Sequence, residues 1–276
     1  MNLTQGQLKR FKTDHFMTID SFFGRDEVSA LQAEMERLKH AGHFRNVATD
    51  RDGKTISQTN VNLQLFGMYE FSPLIRALPF ESKILEVVSQ LIGDPVVFQH
   101  DQCFLKPARH GSGTNWHQDN AYATTTTDPV GGVAMWIAVH DATVANGTLQ
   151  VVPGMATERL KHVRDPESDH HIRCYPDETR AMPCELKAGG VVFFNHGTPH
   201  CTRGNATDKD RAGIAIHFVR EDCASLILKS SGAHPYLTGA RASDGTKEFG
   251  VCVAGTWRKE VERTLNASLA SSQCGY

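Results

Sequence analysis

The sequence predicts an α+β protein whose strands close into a sandwich or barrel. Two segments with helical apolar spacing lie ahead of Pro95. After it come five short runs rich in Val, Ile, Phe and Trp, separated by Gly, Pro, Asn and Asp. With 276 residues, of which 40% are hydrophobic, the chain can bury a substantial core.

Taken in order, "LTQGQLKRFKTDHF" predicts a short helix and Phe16–Ile19 a strand. The next segment, "GRDEVSALQAEMERLKHA", predicts an amphipathic helix. Leu31, Met35 and Leu38 share its apolar face, and Asp26 and Glu27 sit at its positive N-terminal end. Residues 44–62 are polar with a "DRDG" turn, so a surface loop or hairpin is expected. "SPLIRALPFESKILEVVSQLIGDP" predicts a second helical region, with Ile84, Val87, Val88 and Leu91 on one face and Gly93-Asp94-Pro95 as its stop. The runs "VVFQHDQCFLKP", "GGVAMWIAVHDAT", "GTLQVVPG", "GGVVFFNHG" and "GIAIHFVRE" predict strands. Residues 157–182 are dense in charge and histidine without a period. A solvated loop is the ordinary reading of such a stretch, with His170 and His171 facing solvent, and a lid over a site is the alternative. "WRKEVERTLNASL" predicts a helix packed on the barrel or on a second subunit.

A net charge of −2 gives no overall basic field, so a nucleic-acid partner is not expected. The polar N-terminal stretch lacks an apolar leader core, and no segment approaches the ~20 apolar residues of a membrane helix; a cytoplasmic protein without a membrane partner is expected. The seven cysteines are scattered without a CxxC pair, which predicts reduced thiols rather than a disulfide framework or a cysteine zinc site.

The chemistry centres on "TNWHQDN". In an extended segment side chains two apart share a face, so His117 and Asp119 can address one point. A third ligand must come from elsewhere. His200, beyond the apolar run Val191–Phe194, is the first choice and His196 the fallback; His217, inside "IAIHFV", reads as a strand histidine satisfied by a neighbour. Two imidazoles and one carboxylate form the facial triad that suits nonheme Fe(II), leaving three adjacent positions open. Such an iron needs a bidentate co-substrate. Arg211, eleven residues past His200, can offer a guanidinium fork to a carboxylate if "GNATDKD" is a hairpin loop. Thr202, on the face of His200, can add a hydroxyl. A surface role for Arg211 is the alternative.

These residues resemble the phytanoyl-CoA dioxygenase family of Fe(II)/2-oxoglutarate oxygenases. The resemblance runs through "LTQGQLKRFKTDHFMTIDSFF", "FLKPARHGSGTNWHQDNAY", "NGTLQVVPG" and "LKAGGVVFFNHGTPHCTRGNATDKDRAG", over roughly residues 1–222. It implies a double-stranded β-helix, a jelly-roll-like barrel with helices packed outside. One oxygenase domain over residues 1–276 is implied, with a helical scaffold to about 95, a barrel core from about 96 to 222 and a C-terminal extension from about 223. It also implies His117, Asp119 and His200 as iron ligands, and Arg211 with Thr202 on the distal carboxylate of 2-oxoglutarate. Trp136 falls on a tryptophan that lines the co-substrate pocket, with plain core packing as the alternative, and Tyr122 should face the active site.

The implied reaction consumes 2-oxoglutarate and O2, releases succinate and CO2, and hydroxylates an unactivated C–H bond of a small metabolite or natural product. Desaturation, epoxidation or ring formation by the same iron are rivals, as is a noncatalytic metal-binding or sensor barrel. Where the family has "PGSH" this chain has Pro153-Gly154-Met155-Ala156, and Gly-Asp before the distal strand is replaced by Gly189-Gly190, so a coenzyme A thioester is not implied. Because Asp119 is retained, hydroxylation is expected rather than halogenation. Residues 60–66, Phe104, Asn120, Tyr122, the 157–182 segment and the chain beyond Cys223 are expected to face the substrate. A second copy of the chain is a candidate partner.

Overall fold

The computed structural model describes residues 1–122, 128–224 and 234–273. Helix α1 (Gln5–Asp14) starts at a capping box, in which Thr4 accepts from the Gln7 backbone N–H and Gln7 accepts from that of Thr4. It runs directly into β1 (Phe16–Ile19), followed by α2 (Arg25–His40), which buries Leu31, Met35 and Leu38 as its spacing predicts. Next come β2 (Arg45–Asn46), β3 (Leu63–Phe66), α3 (Pro73–Ala77) and α4 (Ser82–Ile92). Gly93, at φ 83°, ends α4 in a conformation that only glycine adopts freely.

The strands that follow are β4 (Val96–Lys106), β5 (Thr114–His117), β6 (Gly132–Ala138), β7 (Leu149–Val151), β8 (Val163–Arg164), β9 (Ile172–Arg173), β10 (Met182–Pro183), β11 (Val191–Asn195), β12 (His200–Thr202) and β13 (Arg211–Arg220). Helices α5 (Thr246–Phe249) and α6 (Trp257–Gln273) complete the described chain. No helix among the described residues is long and apolar enough to cross a membrane.

A seven-stranded sheet in the order β1-β11-β6-β13-β4-β3-β2 faces a four-stranded sheet in the order β10-β7-β12-β5. The fold is the expected α+β jelly roll. The N-terminal part is more than a helical scaffold, however: β1 pairs with β11 at one edge of the large sheet, and β2 and β3 extend the other beyond β4. Outward side chains of the large sheet, among them Cys103, Met135, Phe193, Ile214 and Ile216, pack against Leu31, Leu38, Ile84 and Val88 of the helices. Inward side chains, including Trp136, Phe194 and Ala215, meet Leu149, Val151 and Leu186. With both faces covered, these strands carry continuous apolar runs instead of a clean alternation.

Three expectations need correction. "GNATDKD" is not a hairpin loop, because β12 lies in the small sheet and β13 in the large one. The loop crosses between the sheets, and buried Asn205 pins it by donating to the carbonyls of Lys106 and Lys209. Residues 44–62 contain the expected turn, with Asp50 N–H on Thr55 O at 2.9 Å, yet Val47, Ala48 and Thr49 are buried rather than superficial. They lie under the 165–169 segment, to which Thr49 donates twice. Finally, of the two places expected for the C-terminal helix, the barrel gives way to α2 and α3, along which α6 packs.

One carboxylate ties this helical layer together. Glu27 of α2 accepts from Lys83 Nζ of α4 at 2.7 and 2.8 Å, from Trp257 Nε1 of α6 at 2.5 Å and from Gly24 N–H at 2.7 Å. Burial alone would raise its pKa, but these donors and the Lys83 charge outweigh burial and hold it below the ordinary value. A depressed carboxylate stabilises the fold above its unfolded pKa, and that stability is lost as pH falls through the folded value. Glu27→Gln is therefore expected to cost about 1–2 kcal/mol near neutral pH. The difference from the parent protein should shrink below about pH 4.5 in urea unfolding run at both pH values.

Candidate metal centre and its cavity

His117 ends β5 and His200 begins β12, and the antiparallel pairing of these strands places the two residues directly opposite each other. Their rings lie 4.2 Å apart. Each turns its Nδ1 toward a backbone carbonyl, His117 to Asn115 O at 2.8 Å and His200 to Thr198 O at 3.0 Å. That bond makes Nδ1 the protonated nitrogen of a neutral imidazole and leaves the Nε2 lone pair free. Asp119 opens a short 3-10 turn straight after β5, so its carboxylate bends back into the barrel. Its Oδ1 lies 3.6 Å from Nε2 of both histidines.

Burial dominates the electrostatics. It pulls His117 down to about 4, with the neighbouring His200 adding to the effect, and pulls His200 down to about 4. It pushes Asp119 up to about 6. Two neutral imidazoles and one carboxylate then face one point, a donor set suited to a divalent ion of the iron type. The three ligand atoms lie within 4.8 Å of one another.

Deeper between the sheets lies Arg211, the first residue of β13, with no measurable exposure. It donates to the carbonyls of Asn146 and Gly147, while Nη1 has no hydrogen-bond partner among the described residues. Burial lowers its pKa to about 10. Its cross-strand neighbour on β4, Lys106, is equally buried and donates to Ser112 O at 2.5 Å. Among the described residues no carboxylate pairs with either side chain; burial and the neighbouring Arg211 push the Lys106 pKa well below its ordinary value, so Arg211 is the cation that makes this end of the barrel electropositive. A passage lined by Thr202, Trp136, Phe104 and Ala215 connects Arg211 to Asp119. The indole of Trp136 packs 5.6 Å from the Arg211 guanidinium, and Thr202 Oγ1 accepts from Thr114 N–H at 3.2 Å.

Beside Asp119 also opens a cavity of about 430 Å³, which shares Gln102, Phe104, Thr114, His117 and His217 with that passage. Phe104, Tyr122, Gln64 and Phe66 line it, together with His170 and His171 of the 157–182 segment. His171 is buried, contrary to the solvent-facing expectation. The reason is tertiary: β8 and β9 fold the segment back so that His171 lies 6.4 Å from His117, with the two rings parallel to within 9°. Asn120 is not among the lining residues. Its backbone N–H is tied to His196 O at 3.1 Å. No described residue beyond Cys223 lines the cavity either, and residues 225–233 fall outside the described chain.

The profile of the phytanoyl-CoA dioxygenase (PhyH) family matches residues 11–213. The chain belongs to this family. It is 26% identical to a phytanoyl-CoA dioxygenase of Arabidopsis thaliana, over 80% of this chain and 90% of that one. It is 24% identical to an ectoine dioxygenase of Bordetella parapertussis, over 78% and 75%. The fold is similar to that of the alpha-ketoglutarate-dependent carbocyclase SnoK of nogalamycin biosynthesis, with TM-score 0.66, 20% identity and coverage of 88% and 89%. It is also similar to that of EctD from S. alaskensis with 2-oxoglutarate and 5-hydroxyectoine, with TM-score 0.63, 21% identity and coverage of 80% and 77%. The chain is thus an enzyme of a dioxygenase family.

Four site-forming residues escaped sequence reasoning. Lys106 looks like a strand-end surface lysine, His171 like part of a charged loop, and His217 like a satisfied strand histidine. Gly213 carries no side chain to notice. A Cβ at Gly213 would come within 2.5 Å of the Trp136 indole, so the glycine makes room for the ring that covers Arg211. The alternation of β13 could have flagged Gly213 and His217, since both share the face of Arg211. Gly213→Ala is expected to displace the indole and cost on the order of 1–3 kcal/mol. Near-UV circular dichroism and urea unfolding would register the two effects.

Proposed function

We propose that this protein is an Fe(II)- and 2-oxoglutarate-dependent dioxygenase that hydroxylates an unactivated C–H bond of a small molecule. The observation that carries the reading is a pairing of two features. Two Nε2 atoms converge on Asp119 Oδ1, and a buried arginine without a carboxylate partner among the described residues lies along the same passage. The first fits an iron held by His117, Asp119 and His200. The second fits the distal carboxylate of 2-oxoglutarate, which would compensate the buried charge of Arg211.

With iron, 2-oxoglutarate and O2 bound, the site has the oxidising chemistry that yields succinate and CO2. The chain's own residues supply geometry. Backbone carbonyls lock the tautomers of His117 and His200, Arg211 and Thr202 orient the co-substrate, and Trp136 and Phe104 keep water from the passage. The substrate would occupy the 430 Å³ cavity beside Asp119. Its lining is mostly neutral: Gln64, Gln99, Gln102 and His100 offer hydrogen bonds, and Arg45, the one basic lining residue besides histidines among the described residues, is engaged by Asp169. Such a lining suits a compact, uncharged, oxygen-bearing molecule better than a phosphate-rich coenzyme A thioester. The carboxylate ligand favours hydroxylation over halogenation, while desaturation, epoxidation and ring formation would use the same metal site and differ in how the substrate lies in the cavity beside Asp119.

Purified protein with Fe(II) is expected to form succinate from 2-oxoglutarate in an O2-dependent manner. Metal binding without any succinate would support the noncatalytic barrel instead. Asp119→Ala should abolish succinate formation while far-UV circular dichroism is retained, and activity equal to the parent would exclude Asp119 as a ligand. Arg211→Ala should raise the half-saturating 2-oxoglutarate concentration by roughly 10–100-fold, as the loss of a charged hydrogen-bond pair implies. An unchanged value would mean that another residue anchors the distal carboxylate.

A further inference from the structure

His217 is the residue that the proposed site leaves unexplained. It lies on the inward face of β13 at 3% exposure, and neither ring nitrogen has a hydrogen-bond partner among the described residues. A buried imidazole without partners is costly unless the working site supplies them. Its ring is held from two sides. His100 stacks on it at 4.1 Å and 17°, and His196 lies 5.3 Å away. His100 is itself backed by Phe66 at 5.0 Å. In this clamped position Nδ1 stands 3.7 Å from Oδ2 of Asp119, whereas Oδ1 is the oxygen shared by His117 and His200.

We propose that His217 is a positioning residue whose Nδ1–H donates to Oδ2 of Asp119 when the metal is bound. The inference rests on the metal site described above. A carboxylate that ligates through one oxygen leaves the other as an acceptor, and a donor there fixes its orientation and prevents it from taking a second coordination position. A movement of Asp119 by under about 1 Å closes the present gap to hydrogen-bond length. His196, His217 and Asp119 also lie within 4.8 Å of one another, which raises the alternative of a second ion. Two dications sharing a single buried carboxylate would be poorly compensated, so the hydrogen bond is the better reading.

The test is titration of metal-free protein with Co(II) in the presence of 2-oxoglutarate, read by visible absorption of the bound ion. Co(II) affinity should fall by roughly 10–100-fold in His217→Leu and in His217→Gln, whose amide nitrogen replaces Nε2. His217→Asn, whose amide nitrogen replaces Nδ1, should retain affinity to within about threefold and keep the parent spectrum. Parent-like affinity in the Leu and Gln variants would overturn the inference, as would an Asn variant as weak as Gln. If the Leu variant fails to fold by circular dichroism, the Asn and Gln comparison alone decides. Absence of Co(II) binding by the parent protein would overturn the metal site itself, and this inference with it.

Discussion

The pairing of β5 with β12 is the constraint on which the site depends. Because the strands are antiparallel and in register at one point, residues far apart in sequence present two imidazoles 4.2 Å apart on a single face. The carboxylate follows from the same pairing. Where β5 ends the chain turns into a single 3-10 turn, and Asp119 is its first residue. A slip of one residue in either strand would send one imidazole to the opposite face and dissolve the cluster.

The remaining architecture holds that register against the cost of a polar interior. Between the sheets lie Arg211, Lys106, His196 and His217, all buried, with several polar atoms that lack partners among the described residues. Such an interior is a poor source of stability. The compensating apolar burial is on the other side of the large sheet, where α2 and α4 cover Ile214, Ile216, Phe193 and Met135. Stability and chemistry therefore occupy opposite faces of the same strands. Adjacent residues of β13 serve both, with Arg211, Gly213 and His217 inward and Ala212, Ile214 and Ile216 in the helix-backed core.

This division explains the unequal legibility of the chain. Helices α1, α2 and α4 were readable because capping signals and 3.6-residue spacing are local. His117 with Asp119 was readable because a strand's two-residue period is local too. His200 was preferred to the fallback His196 for its place just beyond the apolar run Val191–Phe194, and in the structure His200 Nε2 lies 3.6 Å from Asp119 Oδ1, whereas His196 groups with His217 and Asp119. Arg211 was placed near the site through a hairpin that does not exist. It arrives instead on the facing sheet, by a crossover that no local signal distinguishes from a turn.

The sequence by itself determined the element types, the α+β class, the His-x-Asp motif and the presence of a distant histidine and arginine able to complete a site. Those properties follow from residue type, spacing and local backbone preference. Only the tertiary structure decided that Lys106 is buried beside Arg211, that His171 turns inward, that the Asn120 N–H is tied to His196 O and that His217 stands beside Asp119. Each of these depends on which strands become neighbours and which face turns toward the other sheet. That choice is made by the sum of apolar burial over the whole chain, and no short stretch of sequence carries it.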